Sequence, residues 1–132
     1  MPRPKSQQPT DTELEILRVL WEIGPAELGH VRAALLAGRD RDMALTTVAT
    51  MLKVMLDKGL VARARGERAW LWSAKATRKN TTRGMLGKIL STVFEGSASK
   101  LVMHLIEDGK LTPDEQKEIR ALLDEHTRRQ KK

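Results

Sequence analysis

A helix face rich in threonine is the feature of this 132-residue sequence that could do chemistry. If the segment TTVATMLKVMLDKG, residues 46–59, forms a helix, its apolar side chains share one side. The other side carries Thr46, Thr47, Thr50 and Lys53. A threonine hydroxyl can bond a base edge or a phosphate, and its methyl can contact a thymine methyl. Because threonine is a mediocre helix former, three on one exposed face favour contact with DNA over an ordinary solvated surface, which is the alternative.

The positive charge is concentrated in residues 58–83. This segment contains eight lysines or arginines and one acid, Glu67, so it carries the whole net charge of +7. Such a block favours a polyanionic partner, although a solvated basic surface is the alternative.

A hairpin with basic residues around its loop is predicted after the threonine-rich helix. The segment LVARARGERAWLWSA alternates with a period of two, and the loop 65–68 contains Gly66, as a hairpin requires. Arg63, Arg65 and Arg68 would then grip phosphates or enter the minor groove. The alternative is a strand edge that is guarded by charge against aggregation.

Two tryptophans, Trp70 and Trp72, share a face of the second predicted strand. They could stack on bases, but two tryptophans on one strand face beside helices are more typical of a hydrophobic core. We predict that both belong to the core.

Helices precede the hairpin. Thr10 and Glu13 have the spacing of a capping box, which predicts the start of the first helix. The segment AELGHVRAALLAG predicts a second helix, and the threonine-rich segment predicts a third over residues 44–58. The side chains that the second helix is predicted to bury are Leu28, Val31, Leu35 and Leu36. The expected fold is mainly α with a small β-hairpin, a winged helix-turn-helix domain over residues 10–76.

The remaining residues, 77–132, predict three short amphipathic helices, with Ser97 and Thr112 as the caps of the second and the third. Alone they are too few to bury their own apolar faces, and a C2 dimer is the commonest solution. The alternative is that these helices fold back onto the first domain. The predicted dimerisation residues are Leu86, Ile89, Leu90, Val93, Leu101, Leu105, Ile119 and Leu122.

Several functional classes are disfavoured. The sequence has no cysteine, its three histidines are scattered, and no glycine-rich phosphate loop follows a strand. We therefore expect no enzyme activity, metal site or cofactor. No apolar run reaches the length of about 18 residues that a membrane span needs, and the basic N-terminus is not followed by an apolar region. We expect a cytoplasmic protein without membrane insertion, with residues 1–9 as a disordered arm.

The combination TELEILRVLW, VRAAL, TTVATMLKVMLDKGLV and RAWLWSA resembles the first half of the penicillinase repressor family, of the BlaI/MecI type. The stretch FEGSASKLVMHLIEDGKLTPDEQKEIRALLDEH is similar to that family's dimerisation half. The resemblance implies a homodimeric winged-helix repressor that binds an inverted repeat of TACA and TGTA elements. It also implies that Thr46, Thr47 and Thr50 contact DNA and that Arg68 is the arginine of the wing.

Three departures from the family pattern matter. Many relatives carry arginine where this chain has Val54, so Lys53 is expected to supply that backbone contact. The bond that a membrane sensor protease cleaves in the β-lactamase repressors is Asn-Phe, and the matching bond here is His104–Leu105. The cysteine motif of the copper-responsive branch is missing.

The sequence thus predicts a homodimeric transcriptional repressor with helix 44–58 in the major groove and wing 65–68 on the backbone. One alternative is a helical protein–protein adaptor whose basic segment is only solubilising. Another is a repressor that a directly bound small molecule releases from DNA.

Overall fold

The computed structural model describes residues 8–39 and 42–131, apart from the side chain of Arg39. The predicted arm, residues 1–9, lies outside the described residues except for Gln8 and Pro9. The elements in chain order are α1 (Asp11–Ile23), α2 (Leu28–Arg39), α3 (Leu45–Asp57), β1 (Val61–Arg65), β2 (Trp70–Ala74), α4 (Arg78–Val93), α5 (Ala98–Glu107) and α6 (Pro113–Gln130).

The start of α1 is fixed by the predicted capping box. The Glu13 N–H donates to the Thr10 hydroxyl oxygen at 3.2 Å, and the Thr10 N–H donates to the Glu13 carboxylate at 3.0 Å. Two backbone donors that the helix itself cannot satisfy are thereby paired. The helix ends at Gly24, whose φ of 76° is a conformation that glycine adopts without strain.

The helix predicted from residue 26 begins two residues later, at Leu28. Ala26 instead exchanges two backbone hydrogen bonds with Trp72, at 2.9 and 2.8 Å, and so extends the hairpin as a third, one-residue strand. The predicted burial of Leu36 is also wrong, because Leu36 is exposed. Its neighbour Leu35 already occupies the buried side of α2, and the next residue lies about 100° around the helix.

The hairpin is tied to the helices at its base. Strands β1 and β2 are antiparallel, with Arg65 opposite Trp70 next to the loop and Val61 opposite Ala74 at the far end. The backbone of Leu60 accepts hydrogen bonds from the next two residues after β2, and the Trp21 indole N–H donates to the Ala76 carbonyl at 2.9 Å. The predicted mainly helical fold with a winged helix-turn-helix arrangement is confirmed.

One hydrophobic core joins α1, α2, α3 and the hairpin. Leucine, isoleucine, valine and methionine side chains from the three helices belong to the same buried cluster as Trp72. The buried apolar residues are Ile16, Leu17, Val19, Leu20, Ala26, Val31, Leu35, Val48, Leu52, Met55, Leu60, Val61 and Trp72.

The chain divides into two compact units, which we call the N-terminal unit, up to Leu86, and the C-terminal unit, from Gly87 onward. The predicted boundary between residues 76 and 77 stays a prediction. In the C-terminal unit, α5 starts at the predicted cap Ser97, and α6 starts with a capping box formed by Thr112 and Glu115. Neither α5 nor α6 contains a buried residue. None of the described helices is long and apolar enough to span a membrane.

Candidate nucleic-acid interface

Helix α3 divides its side chains between core and solvent. Val48, Leu52 and Met55 are fully buried, which holds the helix against α2 and the hairpin. The predicted DNA-contacting side chains of the opposite face, Thr46, Thr47, Thr50 and Lys53, are all exposed. Packing on one side therefore leaves the four polar side chains exposed on a surface that could enter a groove.

The first turn of α3 retains its capacity to donate hydrogen bonds. Its N-cap is Ala44, whose methyl group cannot accept from the free backbone N–H groups. The segment before it is held by Arg32 of α2, whose Nε donates to the Met43 carbonyl at 2.9 Å and whose guanidinium lies 3.8 Å from Asp42. The segment before the helix is thus fixed, and among the described residues no side-chain cap occupies the first N–H groups of α3, which favours an anion there.

The hydroxyl of Thr50 is partly committed. It donates to the Thr46 carbonyl at 3.0 Å, so its oxygen is left to accept from a partner. Val54 is exposed farther along α3 and adds methyl groups to this face.

The loop between the strands is short and needs glycine. The Gly66 N–H donates to the Ala69 carbonyl at 2.9 Å, and a Cβ on Gly66 would lie only 2.6 Å from that oxygen. Arg68 projects from this loop with 81% of its side chain exposed. Its guanidinium is 3.8 Å from Glu27, a loose contact for an exposed pair.

Arg63 and Arg65 lie on the same face of the hairpin as the two tryptophans. The guanidinium carbon of Arg63 is 4.3 Å from the centre of the Trp70 ring, and that of Arg65 is 5.0 Å from it. Trp72 is buried as predicted, at 5% exposure, but the prediction that Trp70 belongs to the core is wrong because 38% of it is exposed. Trp70 is the first residue of β2, next to the loop, where the strand is exposed, and the two arginines lie over its ring instead.

The basic residues of segment 58–83 are not all exposed to solvent. Lys58 is nearly buried and donates to the Glu13 carboxylate at 2.7 Å. Burial raises the pKa of Glu13, but hydrogen bonds from Lys58 and Thr10 and the Lys58 charge outweigh burial and hold that pKa below its ordinary 4.5. Lys58 is therefore a structural cation, while the other seven basic residues of the segment are exposed.

The predicted dimerisation residues belong to α4, α5 and α6. Leu86, Ile89, Val93, Ile119 and Leu122 are exposed, and Leu90, Leu101 and Leu105 are half-buried. The same helices expose Val102, Met103, Ile106 and Leu123. Such a set of exposed apolar side chains is typical of a surface that a partner covers.

The His104–Leu105 bond lies within α5. The His104 ring makes an edge contact with Phe94, with ring centres 5.4 Å apart. Among the described residues, no group of three histidine, aspartate or glutamate side chains could hold a metal ion.

The sequence did not single out Trp70 as part of the interface. Its position opposite Arg65 follows from counting outward from the loop, so the register was the signal that could have found it.

A helix-turn-helix core that exposes a threonine-rich helix, together with a basic hairpin, defines a winged-helix DNA-binding protein. Residues 9–125 match the sequence pattern of the penicillinase repressor family. The chain belongs to the penicillinase repressor family, whose members are DNA-binding transcriptional repressors and not enzymes, as predicted.

Individual relatives are distant. The chain is 23% identical over 127 residues to the penicillinase repressor of Bacillus licheniformis, a match that covers 96% of this chain and 98% of that protein. The solution structure of B. licheniformis BlaI, as a monomer in complex with the blaP half-operator, is 22% identical and covers 55% of this chain and 87% of that one, with a TM-score of 0.47. A mutant of Lactococcus lactis ZitR is 23% identical and covers 98% and 81%, with a TM-score of 0.45.

Proposed function

We propose that this repressor acts as a homodimer on an inverted-repeat operator, with α3 in the major groove and the loop 65–68 on the phosphate backbone. The observation that carries the proposal is the division of α3. Its apolar side is sealed in the core, and its outward side presents hydroxyl groups and a lysine.

Each exposed group on α3 has a role that its chemistry fits. Thr46 and Thr47, in the first turn, offer side-chain hydroxyls beside the backbone N–H groups of the helix start, which together suit a phosphate and a neighbouring base edge. Thr50 can accept from an adenine or cytosine amino group because its hydroxyl already donates its proton to the Thr46 carbonyl oxygen. Lys53 is placed to neutralise a phosphate from the middle of the helix.

The hairpin supplies charge rather than sequence readout. Arg63, Arg65 and Arg68 are exposed, and the short loop carries Arg68 away from the hydrophobic core. Guanidinium groups bind phosphate oxygens with two parallel hydrogen bonds, which fixes the protein on the duplex.

A second copy of the chain is the proposed partner of the C-terminal unit. The exposed leucines, isoleucines and valines of α4, α5 and α6 would be covered in a C2 dimer. Two-fold symmetry then requires two half-sites on one face of the duplex, separated by whole helical turns. The TACA and TGTA inverted repeat implied by the family resemblance has this symmetry.

The test is binding of the full chain and of Thr47→Ala to a duplex that carries the inverted repeat and to a scrambled duplex of equal length, at physiological salt. We expect two chains per inverted repeat, and a loss of about 1–3 kcal/mol for Thr47→Ala on that duplex alone.

Asp57→Ala is the matched control, because Asp57 is exposed at the far end of the same helix. Equal affinity of the unaltered chain for both duplexes would reject sequence reading and leave the adaptor interpretation. Equal losses on both duplexes would reject a base-reading role for Thr47.

Release from DNA is proposed to follow either cleavage by a membrane sensor protease or direct binding of a small molecule. The candidate bond, His104–Leu105, is inside a helix, so a protease would require local unfolding of α5. Appearance of two fragments on induction would favour the protease. Release of an intact chain would favour the small molecule. We place both steps in the cytoplasm with the operator.

A further inference from the structure

Trp70 is an exposed aromatic side chain to which the fold gives no core role. Two guanidinium groups, from Arg63 and Arg65, lie over its ring, and the Arg63 guanidinium is also 5.6 Å from the centre of the Trp72 ring. Cationic groups within about 6 Å of an indole centre are attracted by its electron-rich face. One ring thus contacts both basic side chains of β1.

We propose that Trp70 is a positioning residue, which holds Arg63 and Arg65 as a preorganised pair of phosphate-binding groups on the hairpin. The inference rests on the proposed binding of DNA by this hairpin. It assigns Trp70 neither a base contact nor a place in the core.

Stacking leaves the hydrogen-bonding capacity of an arginine intact. The guanidinium is planar, and its five N–H donors point outward in that plane, whereas its contact with an aromatic ring uses the flat face. Arg63 and Arg65 can therefore remain against Trp70 while their edges bind phosphate oxygens.

An arginine held by an aromatic ring also differs from an arginine in an ion pair, because DNA need not displace a carboxylate from its N–H groups. Neither Arg63 nor Arg65 forms an ion pair with another described residue, whereas Arg68 lies near Glu27. A carboxylate would compete with phosphate for the same N–H groups, but an indole does not. The ring restricts the rotamers of two long side chains before binding, which lowers the entropy that binding must remove.

The register of the hairpin explains how one ring reaches two arginines. Arg65 is directly opposite Trp70, and Arg63 is opposite Trp72, two residues farther from the loop on the same face. Diagonal neighbours on one face are within reach of long side chains. An aromatic residue at position 70 is therefore placed to contact both.

The experiment compares Trp70→Leu with Trp70→Phe in the full chain. Leucine keeps an apolar side chain but has no aromatic face, and phenylalanine restores that face. In the free protein, NMR should show ring-current shifts on the side-chain protons of Arg63 and Arg65 that Trp70→Leu removes and Trp70→Phe largely retains. Unshifted arginine protons in the unaltered protein would overturn the inference without any binding measurement.

Binding is then measured to a random-sequence duplex, because phosphate contacts do not depend on sequence. We expect Trp70→Leu to weaken binding by about 3- to 10-fold and Trp70→Phe by less than about 2-fold. In an Arg63→Ala, Arg65→Ala background, Trp70→Leu should change affinity by less than about 2-fold, since the groups that it positions are gone.

An undiminished effect of Trp70→Leu in that background would overturn the inference, because Trp70 would then act on DNA directly or through the fold. Ile23→Ala, a comparable loss of an exposed apolar side chain on α1, is the control for general destabilisation. The random duplex separates this test from the proposed operator function. If the chain shows no preference for the operator but its binding to the random duplex still depends on Trp70, only the proposed operator function is rejected.

Discussion

The two units of this chain differ in the burial of their apolar side chains. In the N-terminal unit, residues such as Val31 and Leu52 are completely buried in the core that three helices and the hairpin form. In the C-terminal unit, α5 and α6 contain no buried residue, and Leu122 is 60% exposed. Both units carry good helix signals, so the difference lies in packing and not in local propensity.

This difference indicates where each unit obtains its stability. Removal of apolar surface from water is the main favourable contribution to folding, and the N-terminal unit achieves it within one chain. The C-terminal unit has the helix caps and apolar stripes of stable helices, but its apolar side chains need further surface to cover them. Its stability is therefore expected to depend on protein concentration through mass action.

The largest expected effect is that of Leu52→Ala. Truncation of a fully buried leucine leaves a cavity and should lower the free energy of unfolding by about 2–5 kcal/mol. Urea denaturation followed by circular dichroism would measure this loss, which should not change with protein concentration.

Leu122→Ala is the matched change in the other unit. We expect it to shift the monomer–dimer equilibrium in sedimentation experiments and to leave the unfolding transition of the N-terminal unit in place. A change in that transition as large as the one for Leu52→Ala would contradict the contrast between the units, as would a concentration-independent monomer.

Much of the fold could be predicted from the sequence because its signals are local. Thr10, Ser97 and Thr112 mark helix starts through hydrogen bonds that span three residues, and each forms as expected. The stripe of α3 and the glycine in the hairpin loop are likewise readable within one element. The threonine-rich face is exposed because the same periodicity buries the opposite face.

Apart from Leu36, the wrong predictions involve partners that are distant in sequence. Ala26 is not part of the second helix because its backbone pairs with Trp72. Lys58 is not part of the exposed basic surface because it pairs with Glu13. Trp70 is outside the core because β2 extends beyond the helices that cover Trp72. Composition and periodicity record neither these pairings nor the edge of the core.

The Glu13–Lys58 pair offers a pH test of the N-terminal unit. Both side chains are nearly buried, and removal of one partner leaves the other charge without compensation, so Glu13→Ala should cost about 3 kcal/mol. Because the pKa of Glu13 is lower in the folded protein than its ordinary 4.5, its ionised form stabilises the fold. That stabilisation is fully present above about pH 5 and is lost as the pH falls through the folded-state pKa.

The loss for Glu13→Ala is measured as the free energy of unfolding at neutral pH. The pH dependence is measured between neutral pH and about pH 3 for the unaltered chain and for Glu13→Gln. Their difference should shrink as the pH falls, whereas Glu22→Gln, at an exposed position of the same helix, should differ little from the unaltered chain at any pH. A difference that stays constant through this range would show that the pair adds no pH-dependent stability.

The smallest expected effect concerns Arg68 and tests whether the units act independently. Arg68→Ala should weaken binding to the inverted repeat and to a scrambled duplex alike, and should reduce the slope of log affinity against log salt by about one for each bound chain. Arg68 is exposed, and Glu27 is the one acidic residue of the described chain that lies near its guanidinium. Removal of the Arg68 side chain should therefore leave the fold intact. On the scrambled duplex, the loss per bound chain should add to that of Leu122→Ala, since one change removes a phosphate contact and the other weakens the dimer. Coupling between the two changes, or an unaltered salt slope, would show that the hairpin does not bind phosphate independently of the dimer surface.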